Sequence, residues 1–146
     1  MSILNIFDLT GKLALVTGAS RGIGRGIAEA LAGAGADILG VSASLSPMGS
    51  DVETAIKKIG KNFEGYKVDF SKRDQVLNFV ENLKDKKIVP DILINNAGTI
   101  RRNSAENHPT EWWDEVIEVN LSSQFFLSRE IGREMINRGS GKIIFI

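Results

Sequence analysis

Apolar and polar positions along this chain switch period repeatedly. Residues 13–17, Leu-Ala-Leu-Val-Thr, form a short apolar run of strand length. Residues 22–34 then turn to helical spacing and meet a stop signal at Gly35. Residues 37–41 read as a second strand, and residues 44–50, with Pro47 and Gly49, as a loop. A second helix is predicted over 52–59, where Val52, Ala55, Ile56 and Ile59 share a face. A third strand ends over 66–69. Val76, Phe79, Val80 and Leu83 mark a third helical stripe, and Pro90 opens a fourth strand over 92–95. From Thr110, the predicted N-cap, a long helix carries Trp113, Val116, Ile117, Asn120 and Leu121 inward, with Trp112 nearer the rim. It continues, straight or broken, to about Arg138. Residues 142–146 are a fifth strand.

Strand–helix alternation of this kind implies parallel strands joined by right-handed helical crossovers. The expected fold is α/β, a doubly wound parallel sheet of Rossmann type, in one dinucleotide-binding domain over residues 1–146. Ligands of such folds sit at the carboxyl ends of the strands. The chain stops within its fifth strand, Lys142-Ile143-Ile144-Phe145-Ile146, with no turn or polar tail. An apolar strand left open at a sheet edge invites aggregation. A domain truncated after the fifth strand is therefore expected, the alternative being an edge covered by a partner subunit.

One motif stands out against this background. Thr17-Gly18-Ala19-Ser20-Arg21-Gly22-Ile23-Gly24 joins the first strand to the first helix. A helix N-terminus offers unpaired N–H groups and the positive end of a dipole, and glycines let the backbone approach a pyrophosphate. The spacing is neither G-x-G-x-x-G nor the phosphate loop ending in G-K-[ST]. Its position still makes a nucleotide site more plausible than an ordinary turn.

Composition narrows the choice. Lys plus Arg and Asp plus Glu balance at 18 each, so no basic surplus points to nucleic acid. Without cysteine, disulfides, thiolate metal sites and cysteine nucleophiles drop out, and no metal site is expected. The start, from Met1 to Asp8, lacks the basic and apolar regions of a secretory signal, and no apolar run approaches a membrane span. A cytoplasmic location is the default expectation.

Thr17-Gly18-x-x-x-Gly22-x-Gly24, Asp69 closing the third strand, Asn95-Asn96-Ala97-Gly98 and Asn120 occur in an order that resembles the short-chain dehydrogenase/reductase family. Residues 95–102 and 113–121 are most similar to its sugar-acid branch, the 2-deoxy-D-gluconate 3-dehydrogenases and gluconate 5-dehydrogenases. The resemblance implies an oxidoreductase that interconverts a secondary alcohol and a ketone on a sugar acid. It implies that Gly18, Ser20, Arg21, Gly22, Ile23 and Gly24 line the pyrophosphate and adenosine ribose, and that Asp69 accepts a hydrogen bond from adenine. Asn96, Ala97 and Gly98 would run beside the cofactor ribose. Asn120 would bend its helix and hold a water in a proton relay, the catalytic role assigned to this half. A turn aspartate at position 69 and a merely structural amide at 120 are the alternatives.

Arg101 and Arg102 follow the fourth-strand loop. A guanidinium fork binds a carboxylate bidentately, so one of them is expected to read the sugar acid, against the alternative of a solvated pair. His108 reads as surface. The apolar segment around Phe125, Phe126, Leu127 and Ile131 covers more than one helix face, and in the family this helix pairs subunits, which implies a homo-oligomer, a tetramer. At the end of the second strand an acid would select NAD and an arginine NADP. Here Ser42-Ala43-Ser44 supplies neither, leaving Ser42 as the contacting residue. NAD is expected, with NADP left open.

Family chemistry also needs a tyrosine, a lysine four residues on and an upstream serine. The sole tyrosine, Tyr66, begins no such pattern. The resemblance puts those residues beyond the fifth strand. The competing reading is an inactive nucleotide-binding fragment; a purely structural protein with a vestigial fold is a third.

Overall fold

The structure, a computed structural model, describes residues 3–146; Met1 and Ser2 of the start read above lie outside the described residues. Five strands, β1 (Leu13–Thr17), β2 (Asp37–Ser42), β3 (Phe63–Lys67), β4 (Ile92–Asn95) and β5 (Lys142–Phe145), form one sheet in the order β3-β2-β1-β4-β5. All four pairings are parallel. The expected doubly wound sheet is what forms, and the chain ends beside β5, at the sheet edge.

Helices cover both faces, and the pleat of β1 explains why. Alternate side chains of a strand point to opposite faces. Ala14 and Val16 enter a core with Ala28 and Ala32 of α1 (Gly22–Gly33) and Val52 and Ile56 of α2 (Asp51–Lys58). Leu15 enters the other core, with Val76, Phe79, Val80 and Leu83 of α3 (Arg73–Asp85) and Leu127 and Ile131 of α5 (Ser123–Arg138). Small alanines on the α1 side let that helix sit close to the strands, and its N-terminus is thereby brought over the end of β1.

Several expectations shift. The third strand ends at Lys67, so Tyr66 lies near its end and Asp69 two residues beyond it. Pro109, not Thr110, occupies the N-cap of α4 (Thr110–Ile117), and no side chain caps that helix. The long helix is broken: a π-helical turn over Glu118–Ser122 separates α4 from α5. Its facing is also corrected. Trp113 is 63% exposed and Trp112 36%, the reverse of the expected order, and Leu121 is 63% exposed. No residue of α4 is buried, because the helix projects past the end of the sheet rather than lying on it. Periodicity identifies a face but does not say what lies beneath it. His108 is half-buried rather than free surface, with its ring edge-on to Trp112 at 6.0 Å.

Candidate functional site

A cleft of about 480 Å³ opens at the carboxyl ends of the strands. Its wall includes every residue expected to touch a cofactor: Gly18, Ser20, Arg21, Gly22, Ile23, Gly24, Ser42, Asp69, Asn96, Ala97 and Gly98. These come from four separate strand ends, and the fold brings them together.

Thr17 builds the floor. Its hydroxyl is fully buried; it donates to the Ile94 carbonyl at 3.3 Å and accepts the Asn96 and Ala97 N–H groups, each at 2.9 Å. The Asn96 amide returns the contact by donating to the Thr17 carbonyl at 3.0 Å. A hydroxyl has one proton and two lone pairs, so Thr17 is saturated. Removing it would strand two N–H groups, at about 1–3 kcal/mol each if they remain buried. The sequence motif contains Thr17 but says nothing of this clamp, whose halves lie far apart in the chain.

The clamp changes the meaning of the glycines. A Cβ on Gly24 would stand 2.2 Å from the Gly18 carbonyl oxygen and 2.5 Å from Asn96 Nδ2. A Cβ on Gly18 would meet the same amide at 2.8 Å. These two are glycine so that the chain's own loops can pack, not only so that a ligand can approach. Gly22 differs: it holds φ +56 and nothing lies within 4 Å of its Cβ position.

Beyond Gly22, α1 begins from Arg21 with no side-chain cap and no acid in its first turn. Its first N–H groups therefore have no side-chain partner, and they open on the cleft beside Ser20 and Arg21. This is the arrangement an anion completes.

Asp69 serves both readings given above. Its Oδ1 accepts the Ser71 N–H at 2.9 Å and the Ser71 hydroxyl at 2.7 Å, an Asx turn, while the residue also lines the cleft. Asn120 does not line the cleft and is exposed rather than turned inward. It sits in the π-turn and holds Thr99 at both ends: Oδ1 accepts the Thr99 N–H at 2.8 Å and Nδ2 donates to the Thr99 carbonyl at 3.0 Å. The π-turn shifts the hydrogen-bond register by one residue, and this is what aims position 120 at the β4 loop.

Arg101 and Arg102 separate. Arg101 makes a two-pronged pair with Glu115, Nε to Oε2 at 2.9 Å and Nη2 to Oε1 at 2.8 Å, which pushes its guanidinium pKa further up. Arg102 is exposed and makes no ion pair among the described residues. Neither lines the cleft, though Glu115 does.

Sequence reasoning missed Ser44, Thr99, Glu115 and Val119 in the wall. It also missed Gln124, whose buried Nε2 donates to the Ala97 carbonyl at 2.6 Å, and Ser123, whose hydroxyl donates to the Phe70 carbonyl at 2.7 Å. The available signal was their polarity inside an apolar stretch, the signal that singled out Asn120. Tyr66 is elsewhere. It donates to Glu64 at 2.6 Å beside Lys86, at the β3 edge, and burial first, then Glu64, raises its pKa.

Comparison with known proteins decides the family. The short chain dehydrogenase family model matches residues 12–146. The chain belongs to that family. A 2-dehydro-3-deoxy-D-gluconate 5-dehydrogenase of Pseudoalteromonas atlantica is 59% identical over 143 residues, covering 98% of this chain and 56% of that protein. One of the same name from Bacillus subtilis is 46% identical over 140 residues, covering 96% and 54%. A solved chain from Beutenbergia cavernae, provisionally assigned as an NAD(P)-dependent gluconate 5-dehydrogenase and holding NADP at low occupancy, superposes with a TM-score of 0.87. It is 37% identical, with 95% of this chain and 55% of that one covered. The chain thus spans about half the length of the relatives it matches. The nicotinamide dinucleotide of the family fits the residues present: an uncapped helix start for the pyrophosphate, and hydroxyls at the end of β2 for the ribose. Among the described residues no helix is long and apolar enough to cross a membrane.

Proposed function

We propose that the protein carrying this chain is an NAD(P)-dependent oxidoreductase that interconverts a secondary alcohol and a ketone on a sugar acid of the gluconate type. The uncapped N-terminus of α1, open on a cleft that Thr17 holds in shape, carries this reading. The names of the relatives point to the sugar-acid class.

A bound nicotinamide would supply hydride chemistry, by which the carbinol carbon of the alcohol would lose a hydride in one direction and the carbonyl carbon of the ketone would gain one in the other. The chain's own residues do the rest of what this half can do. Helix α1 would hold the pyrophosphate by its free N–H groups and dipole, and Gly22 would leave the approach open. Asp69 keeps one carboxylate oxygen in its turn and has the other for an adenine amino group. Asn96, Ala97 and Gly98, on the clamped loop in the cleft wall, would lie alongside the ribose. Asn120 sets Thr99 at the cleft edge, and its place in the π-turn is where the water of a proton relay would be held. Tyr66 does not line the cleft, and burial raises its pKa, so it does not fit the proton donor expected of the family.

Between the two arginines the geometry favours Arg102 for the substrate carboxylate, because Glu115 already fills the Arg101 fork. The exposed stripe of Trp113, Leu121 and Phe125 supports the homo-oligomer, a face for a second copy. The cytoplasm remains the proposed location. Titration with NADH or NADPH, followed by an assay for reduction of NAD(P) by gluconate-type acids, tests the whole. Saturable binding with turnover is expected; absence of binding by both dinucleotides would refute the reading. Arg102→Ala should raise KM for the sugar acid about tenfold and leave dinucleotide Kd unchanged.

A further inference from the structure

Three hydroxyls meet where β2 ends. Ser20 Oγ lies 3.1 Å from Ser42 Oγ and 3.0 Å from Ser44 Oγ, and the last two are 3.4 Å apart. All three line the cleft beside Arg21. In dinucleotide folds this strand end meets the 2′ position of the adenosine ribose, where a carboxylate accepts from the 2′-hydroxyl and a guanidinium binds a 2′-phosphate. Ser42-Ala43-Ser44 places neither group there. No carboxylate is a hydrogen-bond partner of the three serines among the described residues. The acids that line the cleft, Asp69 and Glu115, are engaged with Ser71 and Arg101.

Resting on the dinucleotide reading of the cleft, we infer that the Ser20–Ser42–Ser44 cluster makes this site indifferent to a 2′-phosphate, so that NADH and NADPH bind with affinities within about tenfold of each other. The reason is the hydroxyl rotor, which carries both a proton and lone pairs. Toward a 2′-hydroxyl a serine accepts; toward a phosphate oxygen it turns its proton outward and donates. The turn exchanges a neutral hydrogen bond from the 2′-hydroxyl for a charge-assisted one to the phosphate. None of the three serines brings a fixed charge to the ribose position in either state. A carboxylate at this place has no proton to turn and repels the phosphate. Arg21, exposed and without an ion pair among the described residues, adds one positive charge to the same wall without filling the ribose position.

The test is separate titration of the purified protein with NADH and NADPH, by calorimetry, in the wild type and in Ser44→Asp and Ser44→Arg. Ser44 is exposed, so either side chain is compatible with the fold, whereas buried Ser42 is a riskier position. The wild-type Kd ratio should lie within about tenfold. Ser44→Asp should weaken NADPH by about 30-fold or more while NADH stays within about threefold, and Ser44→Arg should move the ratio toward NADPH. A wild-type ratio beyond tenfold in either direction, or an equal loss of both dinucleotides in Ser44→Asp, overturns the inference. Failure of the wild type to bind either one overturns the dinucleotide reading itself, and this inference with it.

Discussion

Helices α1 and α2 are neighbours on one face of the sheet, and both start from extended backbone, yet their first turns are built in opposite ways. At α2, Ser50 Oγ accepts the Glu53 N–H at 3.2 Å, and Glu53 reaches back to the Gly49 N–H at 2.6 Å. Asp51 and Glu53 add negative charge to the same turn. This is a capping box displaced by one residue, and it satisfies the helix from within. At α1, Arg21 caps nothing and no acid stands in the first turn. A cap is worth about 1 kcal/mol, so α1 forgoes stability that its neighbour takes. The difference fits the proposed anion site at the start of α1, and α2 shows that the omission is not a general habit of this chain.

The largest test of that contrast is Gly24→Ala. Its Cβ would collide with the Gly18 carbonyl and the Asn96 amide, groups that the Thr17 clamp prevents from moving. A loss of about 3 kcal/mol is expected, read as a lower denaturation midpoint together with lost dinucleotide binding. Gly26→Ala on the same helix, where a Cβ meets nothing within 4 Å, should instead be neutral or stabilise by up to about 1 kcal/mol. A drop of similar size in both variants would show that helix α1, and not the loop contact, is what fails.

Ile23→Asp comes next. It puts into α1 the first-turn acid that α2 already has, at a side chain 67% exposed on the cleft. Dinucleotide affinity should fall at least about tenfold while thermal stability holds or rises by a few tenths of a kcal/mol. Unchanged affinity would mean that the α1 N-terminus does not face the anion.

Ser50→Ala is the converse, costing about 1 kcal/mol with no effect on dinucleotide Kd. The smallest effect is a pH dependence. Hydrogen bonds from Lys57, then from the Gly49 N–H, hold the Glu53 carboxyl below the ordinary range. A depressed folded pKa contributes stability that is present above the unfolded value, about 4.3, and is lost as pH falls through the folded one. Wild-type melting temperature should therefore drop below that pH more steeply than that of Glu53→Gln, and parallel curves would deny the interaction any role.

Much of the fold was legible because local period and turn chemistry write it directly: unbroken strand runs, a helix between each pair, and Gly35 with φ +111 just past the end of α1. Much of the cleft wall was legible for a related reason. In a parallel sheet every crossover returns the chain in the same direction, so motifs at strand ends must collect on one edge. What stayed hidden was lateral. Arg101 and Arg102 are equivalent in sequence and become different only because Glu115, 14 residues on, faces one of them. Trp113 has helical spacing suited to burial, and the position of α4 past the sheet leaves it nothing to pack against.

The sequence by itself determined the element order and the glycine turn, which depend on neighbours a few positions away, and the strand–helix alternation that implies the doubly wound architecture. Only the tertiary structure decided that Thr17 saturates the β4 loop, that Asn120 clasps Thr99, and that Ser20, Ser42 and Ser44 share their hydroxyls in the cleft wall. Those pairings join residues two to 80 positions apart. Most of them depend on strand order and helix register, which no local pattern records.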